Sequence, residues 1–269
     1  HPQHRRQRQM CIRDRTPRGS FWVLFMNADG TVKGQQKISD TQGGFPGAIS
    51  NSSQFGKSVA GLGDLDGDGI ADVAVGHPQD DQTGGDHGAV WIIFLNANGT
   101  EKSNKKIRMN ANGFTGSLDN LDRFGYGLSN IGDLNGDSIP DLAVGAPHDD
   151  DGLAFSGAVY ILFMNTNGTV LSWQKISNTT GGFGGGIQGA ELFGSSIAPI
   201  GDLDGDGITE LAVGTRDMHD TGGIKKGGCF ILFMNANGTV KSKQKIGVGW
   251  GGFMQPMSDD AELGEAVSA

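Results

Sequence analysis

Cysteine is almost missing from this chain: 269 residues hold two, Cys11 and Cys229. Cys11 falls in an aberrant N-terminal stretch, so the remainder has no disulfide to form and no thiolate pair for a zinc site. Cys229, in "GGCFILF", stands where the repeat described below has Val90 and Val159, which predicts a buried, inert thiol. Long apolar runs are missing as well. No stretch approaches the roughly eighteen residues a spanning helix needs, and the helical period of 3.6 appears over no useful length. Basic charge is scarce once residues 1–15 are set aside. "HPQHRRQRQMCIRDR" holds five arginines against one acid, and without it the net charge falls from −9 to −13. An acidic chain without a basic stripe argues against nucleic acid and suits a cation-binding protein. No Ser/His/Asp arrangement stands out, so the expectation is a non-enzymatic protein.

Glycine is abundant instead, at 47 residues, with no collagen period, which signals many tight turns between short strands. Residues 5–15 resemble a translated sequencing-library adapter, so residues 1–15 are read as a non-native, disordered tail and residues 16–269 as the protein proper.

The dominant pattern is an internal period of 69 residues. Asp64, Asp133 and Asp202 follow it, as do Phe55, Phe124 and Phe193, each before a glycine, and Gly76, Gly145 and Gly214. The register slips by one residue within 215–226, which marks a loop. Units therefore run over about 39–107, 108–176 and 177–246, with partial ones at 19–38 and 247–269. Within the first, "SVAGLG", "DVAVG", "GAVWIIFLN" and "KSNKKI" read as four strands. Asp29-Gly30, Asn98-Gly99, Asn167-Gly168 and Asn237-Gly238 supply hairpin chemistry, since both residues tolerate positive φ. Runs such as "AVYILFM" must be covered on both faces, which a radial stack of four-stranded antiparallel sheets achieves. The expected fold is all-β, a β-propeller; a β-solenoid is the alternative, but its repeats are shorter. The 1-2 and Asn-Gly turns should share one face and the long, variable connections the other.

"GDLDGDGIAD" crowds carboxylates that repel unless a cation lies among them. A hard dication takes oxygens from positions 1, 3 and 5 of a tight loop, a carbonyl at 7 and a carboxylate at 9. Asp64, Asp66, Asp68, Ile70 and Asp72 fill those places in the first unit. Asp133, Asn135, Asp137, Ile139 and Asp141 do so in the second, and Asp202, Asp204, Asp206, Ile208 and Glu210 in the third. Three Ca²⁺ sites are expected, the second weakest, because Asn135 removes a charge and Ser138 replaces a glycine. An EF-hand is rejected: strands flank the loop and no glutamate stands at position 12. A turn that merely favours Asp and Gly is the competing reading.

"FGKSVAGLGDLDGDGIADVAVGHP", "FGYGLSNIGDLNGDSIPDLAVGAP" and "FGSSIAPIGDLDGDGITELAVGTR" resemble FG-GAP repeats of the integrin alpha-subunit propeller, and more closely those of bacterial secreted proteins. The resemblance covers residues 19–269, with departures at His77-Pro78, Thr215-Arg216 and Leu263-Gly264. It implies a seven-bladed ring with Ca²⁺ in several 1-2 turns, of which this chain would be a truncated partial ring of about four blades completed by further blades of the same polypeptide. It also implies a secreted or cell-surface protein whose variable-loop face meets an extracellular protein or carbohydrate ligand. The propeller of a secreted hydrolase or lyase, or an architectural repeat module, is the alternative.

Smaller features carry expectations too. Phe55, Phe124 and Phe193 read as inter-blade wedges, and Phe45, Phe114, Phe183 and Phe253 as loop anchors or exposed ligand contacts. His77, His87, His148 and His219 read as solvated loop residues, and Asp80, Asp81, Asp149, Asp150 and Asp151 as a solvated acidic rim.

Overall fold

The computed structural model describes residues 8–10, 18–47, 49–50, 52–81, 84–259 and 261–268. Its strands are β1 (Arg8–Met10), β2 (Phe21–Met26) and β3 (Val32–Ile38), then β4 (Val59–Gly63), β5 (Asp72–His77), β6 (Ala89–Leu95) and β7 (Glu101–Ile107). The next unit gives β8 (Leu128–Gly132), β9 (Asp141–Ala146), β10 (Ala158–Met164) and β11 (Val170–Ser177). The third gives β12 (Phe193–Gly201), β13 (Glu210–Thr215), β14 (Gly228–Met234) and β15 (Val240–Gly247). Each complete unit is a four-stranded antiparallel meander, as the four apolar or alternating runs of its sequence predict, and the described chain is a partial β-propeller.

The middle strands of the first two complete units are buried throughout because each of those sheets lies between two others. By contrast β14, in the last described sheet, alternates buried and half-buried residues and leaves Cys229 half-buried rather than buried as expected. On β6, Trp91, Ile93 and Leu95 join Phe21, Val23 and Phe55 in one core layer, while Val90, Ile92 and Phe94 join Phe124, Val144 and Tyr160 in the next. A third layer holds Val159, Ile161, Phe193, Val213 and Phe230. The core is thus a series of layers between blades, and the period-2 alternation of a strand decides which layer a residue enters.

Gly88 and Phe124, and likewise Gly157 and Phe193, form single parallel bridges from one unit to the next. A Cβ on Gly145 would lie 1.9 Å from the carbonyl oxygen of Gly194, so glycine is required there by space. Phe55, Phe124 and Phe193 are buried and pack on the buried rings of Phe45, Phe114 and Phe183, at centroid distances of 5.1, 5.1 and 5.2 Å. Those three therefore anchor loops.

Four further expectations need correction. Arg8–Met10 is a strand, paired antiparallel with β2 from Arg8↔Leu24 to Met10↔Trp22, because β2 otherwise offers an open edge on that side. The rest of the expected disordered tail lies outside the described residues. The Asn-Gly hairpins use positive φ at glycine alone, +82° at Gly99. Asn96 N–H donates to Thr100 O and Gly99 N–H to Asn96 O, so the loop is a turn closed by a left-handed glycine and a bulge. His77 is fully buried rather than solvated, since it ends β5 beneath the Trp91 ring. Asp80 and Asp149 are buried as well, drawn inward by Lys106 and Lys175.

Candidate metal centres

Each acidic turn joins the first two strands of a blade, and its strand-two end is tied down by a buried carboxylate. Asp72 Oδ2 accepts the Leu65 N–H at 3.0 Å and Oδ1 the Leu95 N–H at 3.1 Å. Asp141 repeats this with Leu134 and Met164, at 3.0 and 3.1 Å. Position 9 thereby fastens the acidic turn to the Asn-Gly hairpin, and both turns share one face as expected. Burial pushes the Asp72 carboxyl up to about 6, against the pull of those two N–H groups and with a further push from Asp66 and Asp68. Asp141 is raised to about 6 in the same way.

Position 1 organises the loop itself. Asp64 accepts the Asp68 and Gly69 N–H groups at 2.9 and 2.8 Å. Asp133 accepts those of Gly136, Asp137 and Ser138, and Asp202 those of Gly205, Asp206 and Gly207. Gly67 and Gly69 hold positive φ of +78° and +85°, and in the second loop Ser138 is forced to +70°. Asp68, Asp137 and Asp206 each accept the N–H two residues on, at 2.8 Å. Ile70, Ile139 and Ile208 set their side chains against the core layers, which fixes the backbone at position 7.

Asp64, Asp66 and Asp72 offer oxygens within 4.8 Å of one another, as do Asp202, Asp204 and Asp206. Asp68 and Glu210 stand outside those two groups, and the middle loop, with one acid fewer, forms no such group among the described residues. Glu210 is 0% exposed; its Oε2 accepts the Leu203 N–H at 2.5 Å, while Oε1 is buried without a partner. Two sets of three carboxylates with converging oxygens are a hard, oxygen-only donor set, and such a set fits Ca²⁺.

Sequence reasoning missed the lysines of the outer strand. Lys102 Nζ donates to Asp66 Oδ2 at 2.7 Å and Asp68 Oδ2 at 2.6 Å. Lys241 holds Asp204 and Asp206 likewise, both at 2.8 Å. These contacts pull the Asp68 and Asp206 carboxyls below their ordinary range. The internal repeat contained the signal, because Lys102, Leu171 and Lys241 occupy one repeat position.

The opposite face carries a second repeated feature. Lys106, Lys175 and Lys245 lie 5.1, 5.6 and 5.7 Å from the ring centroids of Trp91, Tyr160 and Phe230. Lys106 pairs with Asp80 at 2.6 Å and Lys175 with Asp149 at 2.8 Å. In the third unit Met218 is buried, and Lys245 instead faces the buried Glu191 at 3.8 Å. These buried pairs root the variable loops. Burial raises Asp122 to about 7, Asp149 and Asp119 adding to it and the Asp119 N–H opposing it. The histidines are dispersed: His77 Nδ1 accepts the Trp91 Nε1–H at 3.3 Å, His148 sits by Phe155, and His219 contacts Glu191 at 3.1 Å. His77 is depressed to about 4 by burial, so it is neutral, and its 3.6 Å approach to Asp80 is no ion pair at neutral pH. A cleft of about 530 Å³, lined among others by Arg18, Asp40, Ser50, Asp80 and Asp81, opens between the variable loops of the first complete unit, beside the start of β2.

Residues 55–93 and 124–162 match the FG-GAP repeat family. Integrin alpha-6 of Gallus gallus is 37% identical over 164 residues, covering 61% of this chain and 14% of that relative. Integrin alpha-3 of Cricetulus griseus is 30% identical over 201 residues, covering 75% of this chain and 17% of the relative. Integrin alpha-11 of Homo sapiens is 36% identical over 168 residues, covering 60% and 12%. The chain thus spans less than a fifth of the length of the curated relatives it matches.

Proposed function

The chain is an FG-GAP repeat, integrin alpha-like protein, and from that premise we propose that it is a calcium-binding, extracellular β-propeller module that presents its variable-loop face for adhesion. The observation that carries the metal reading is the convergence of Asp64, Asp66 and Asp72, and of Asp202, Asp204 and Asp206, whose oxygens lie within 4.8 Å of one another. Asp64, Asp66, Asp68, Asp72 and the Ile70 carbonyl would hold one ion. Asp133, Asn135, Asp137, Asp141 and the Ile139 carbonyl would hold a second. Asp202, Asp204, Asp206, Glu210 and the Ile208 carbonyl would hold a third.

Bound there, an ion would supply charge neutralisation where carboxylates crowd one turn. This chain's residues do the rest. Position 9 carries the constraint into the neighbouring hairpin through the Leu95 and Met164 N–H groups. The loops on the far face, mounted on the other ends of the same strands, form the recognition surface, and the cleft beside Arg18 and Asp81 opens on it. Its partner is a protein or glycan, met at a cell surface or after secretion, where millimolar Ca²⁺ fills weak sites.

Thermal unfolding with 2–5 mM Ca²⁺ (roughly the extracellular range) and with chelator tests the reading. At those concentrations a site with a Kd of about 10⁻⁴–10⁻³ M adds about 0.6–2.3 kcal/mol, so three sites raise Tm by several degrees. Superimposable melts would refute it.

A further inference from the structure

Lys102 and Lys241 occupy the mouths of two loops, and the middle loop has Leu171 in their place, 60% exposed on an outer strand where nothing apolar is required. The exchange is matched by a second one. The first and third loops hold four carboxylates and an ammonium, whereas the middle loop holds three carboxylates, Asn135 and no ammonium, so all three carry a net charge of −3. Asn135 also does the lysine's local work, its Nδ2 donating to Asp137 Oδ2 at 2.9 Å.

The oxygens concerned are the ones an ion would use. In the first loop Asp66 Oδ1 accepts the Asp68 N–H at 3.3 Å and Asp68 Oδ1 the Ile70 N–H at 2.8 Å. Asp66 Oδ2 and Asp68 Oδ2 are left over, and Lys102 Nζ binds both. In the third loop Asp206 Oδ1 accepts the Ile208 N–H, and Lys241 takes Oδ2 of Asp204 and Asp206. An exposed ion pair ordinarily contributes little to stability. Here one ammonium on a short tether bridges two carboxylates that repel in its absence, and it stands where a dication would draw their oxygens.

Resting on the reading of these loops as ion sites, we propose that Lys102 and Lys241 are tethered counter-cations: they hold the first and third loops closed without an ion, compete with the incoming dication, and so level the affinities of three loops whose ligand charges differ. The middle loop is then not the weak member that its missing carboxylate suggests, because its ion displaces no lysine.

Calorimetric Ca²⁺ titration of the whole chain tests this, with melts in chelator and in Ca²⁺. Lys102→Met with Lys241→Met should tighten two of the three sites about tenfold, the scale of a unit charge facing a dication across a few ångströms of water. The same double variant should melt lower in chelator and show a larger rise on adding Ca²⁺, a pair of opposite changes that a merely structural lysine would not give. Leu171→Lys should weaken one site by a similar factor. Lys33, at the same repeat position in the partial blade and with no acidic turn beside it among the described residues, serves as the control, and Lys33→Met should change neither measurement. An unchanged isotherm in the double variant, or an equal effect of Lys33→Met, overturns the proposal while leaving the ion sites standing. No Ca²⁺ binding by the unaltered chain overturns the ion sites themselves, and the proposal with them.

Discussion

Gly145→Ala is the most exacting test of how the blades meet. Its Cβ would sit 1.9 Å from the Gly194 carbonyl oxygen and 2.9 Å from the carbonyl carbon, both backbone atoms of the next blade that no rotamer change can move. Ordinary contact begins near 3.4 Å, so the two chains must part by about 1.5 Å. That movement pulls on three bonds: Gly145 N–H to Gly127 O at 2.8 Å, Gly125 N–H to Gly145 O at 3.0 Å, and Tyr126 N–H to the same oxygen at 3.2 Å. Overpacking costs about 1–3 kcal/mol and each strained buried bond about 1, so the loss should be near 4 kcal/mol, a large share of a domain's whole stability. Urea unfolding followed by tryptophan fluorescence measures it. The companion is Gly30→Ala: φ is +86° but a Cβ meets nothing within 4 Å, so the cost is conformational, about 1–2 kcal/mol. If the two variants lose equal stability, or Gly145→Ala loses less than about 1 kcal/mol, the close-approach argument is wrong.

Three further outcomes follow from the same geometry. Phe124→Ala removes a fully buried ring stacked on Phe114 and edge-on to Tyr160, and should cost about 3–5 kcal/mol in denaturant unfolding. Asp122, raised from 3.8 to about 7, binds its proton more tightly folded than unfolded, so its contribution is full below pH 3.8 and is lost as pH rises through about 7. Asp122→Asn should therefore exceed the parent in stability at pH 8, by on the order of 4 kcal/mol, with the gap closing towards pH 4 in urea melts made in chelator. Glu210→Asp shortens the third loop's position-9 residue so that it can bridge both turns as Asp72 and Asp141 do, and should raise the chelator Tm by a few degrees, about 1 kcal/mol.

Most of the fold was legible because its main constraint is periodic. "AVYILFM" had to be covered twice, and the 69-residue repeat placed the strands from β2 onward, the paired acidic and Asn-Gly turns, and the glycines between blades. The placing of the acidic residues in the turn between the first two strands of each unit was legible for the same reason. What escaped was side-chain direction outside the strands. His77, Asp80 and Asp149 stand in polar stretches, yet they point inward, because a lysine and an aromatic ring from neighbouring strands wait beneath the loop. Lys102 escaped because it lies 36 residues from Asp66 on a strand that reads as solvated surface. Only the meander brings the two together.

Each core layer is built half from one blade and half from its neighbour, so a blade brings two unlike surfaces, and the leading surface of one unit is shaped for the trailing surface of another. A gene segment copied in tandem therefore encodes, at the moment of duplication, a new partner already fitted to both of its neighbours. Such an array can be lengthened or shortened by whole units without inventing an interface.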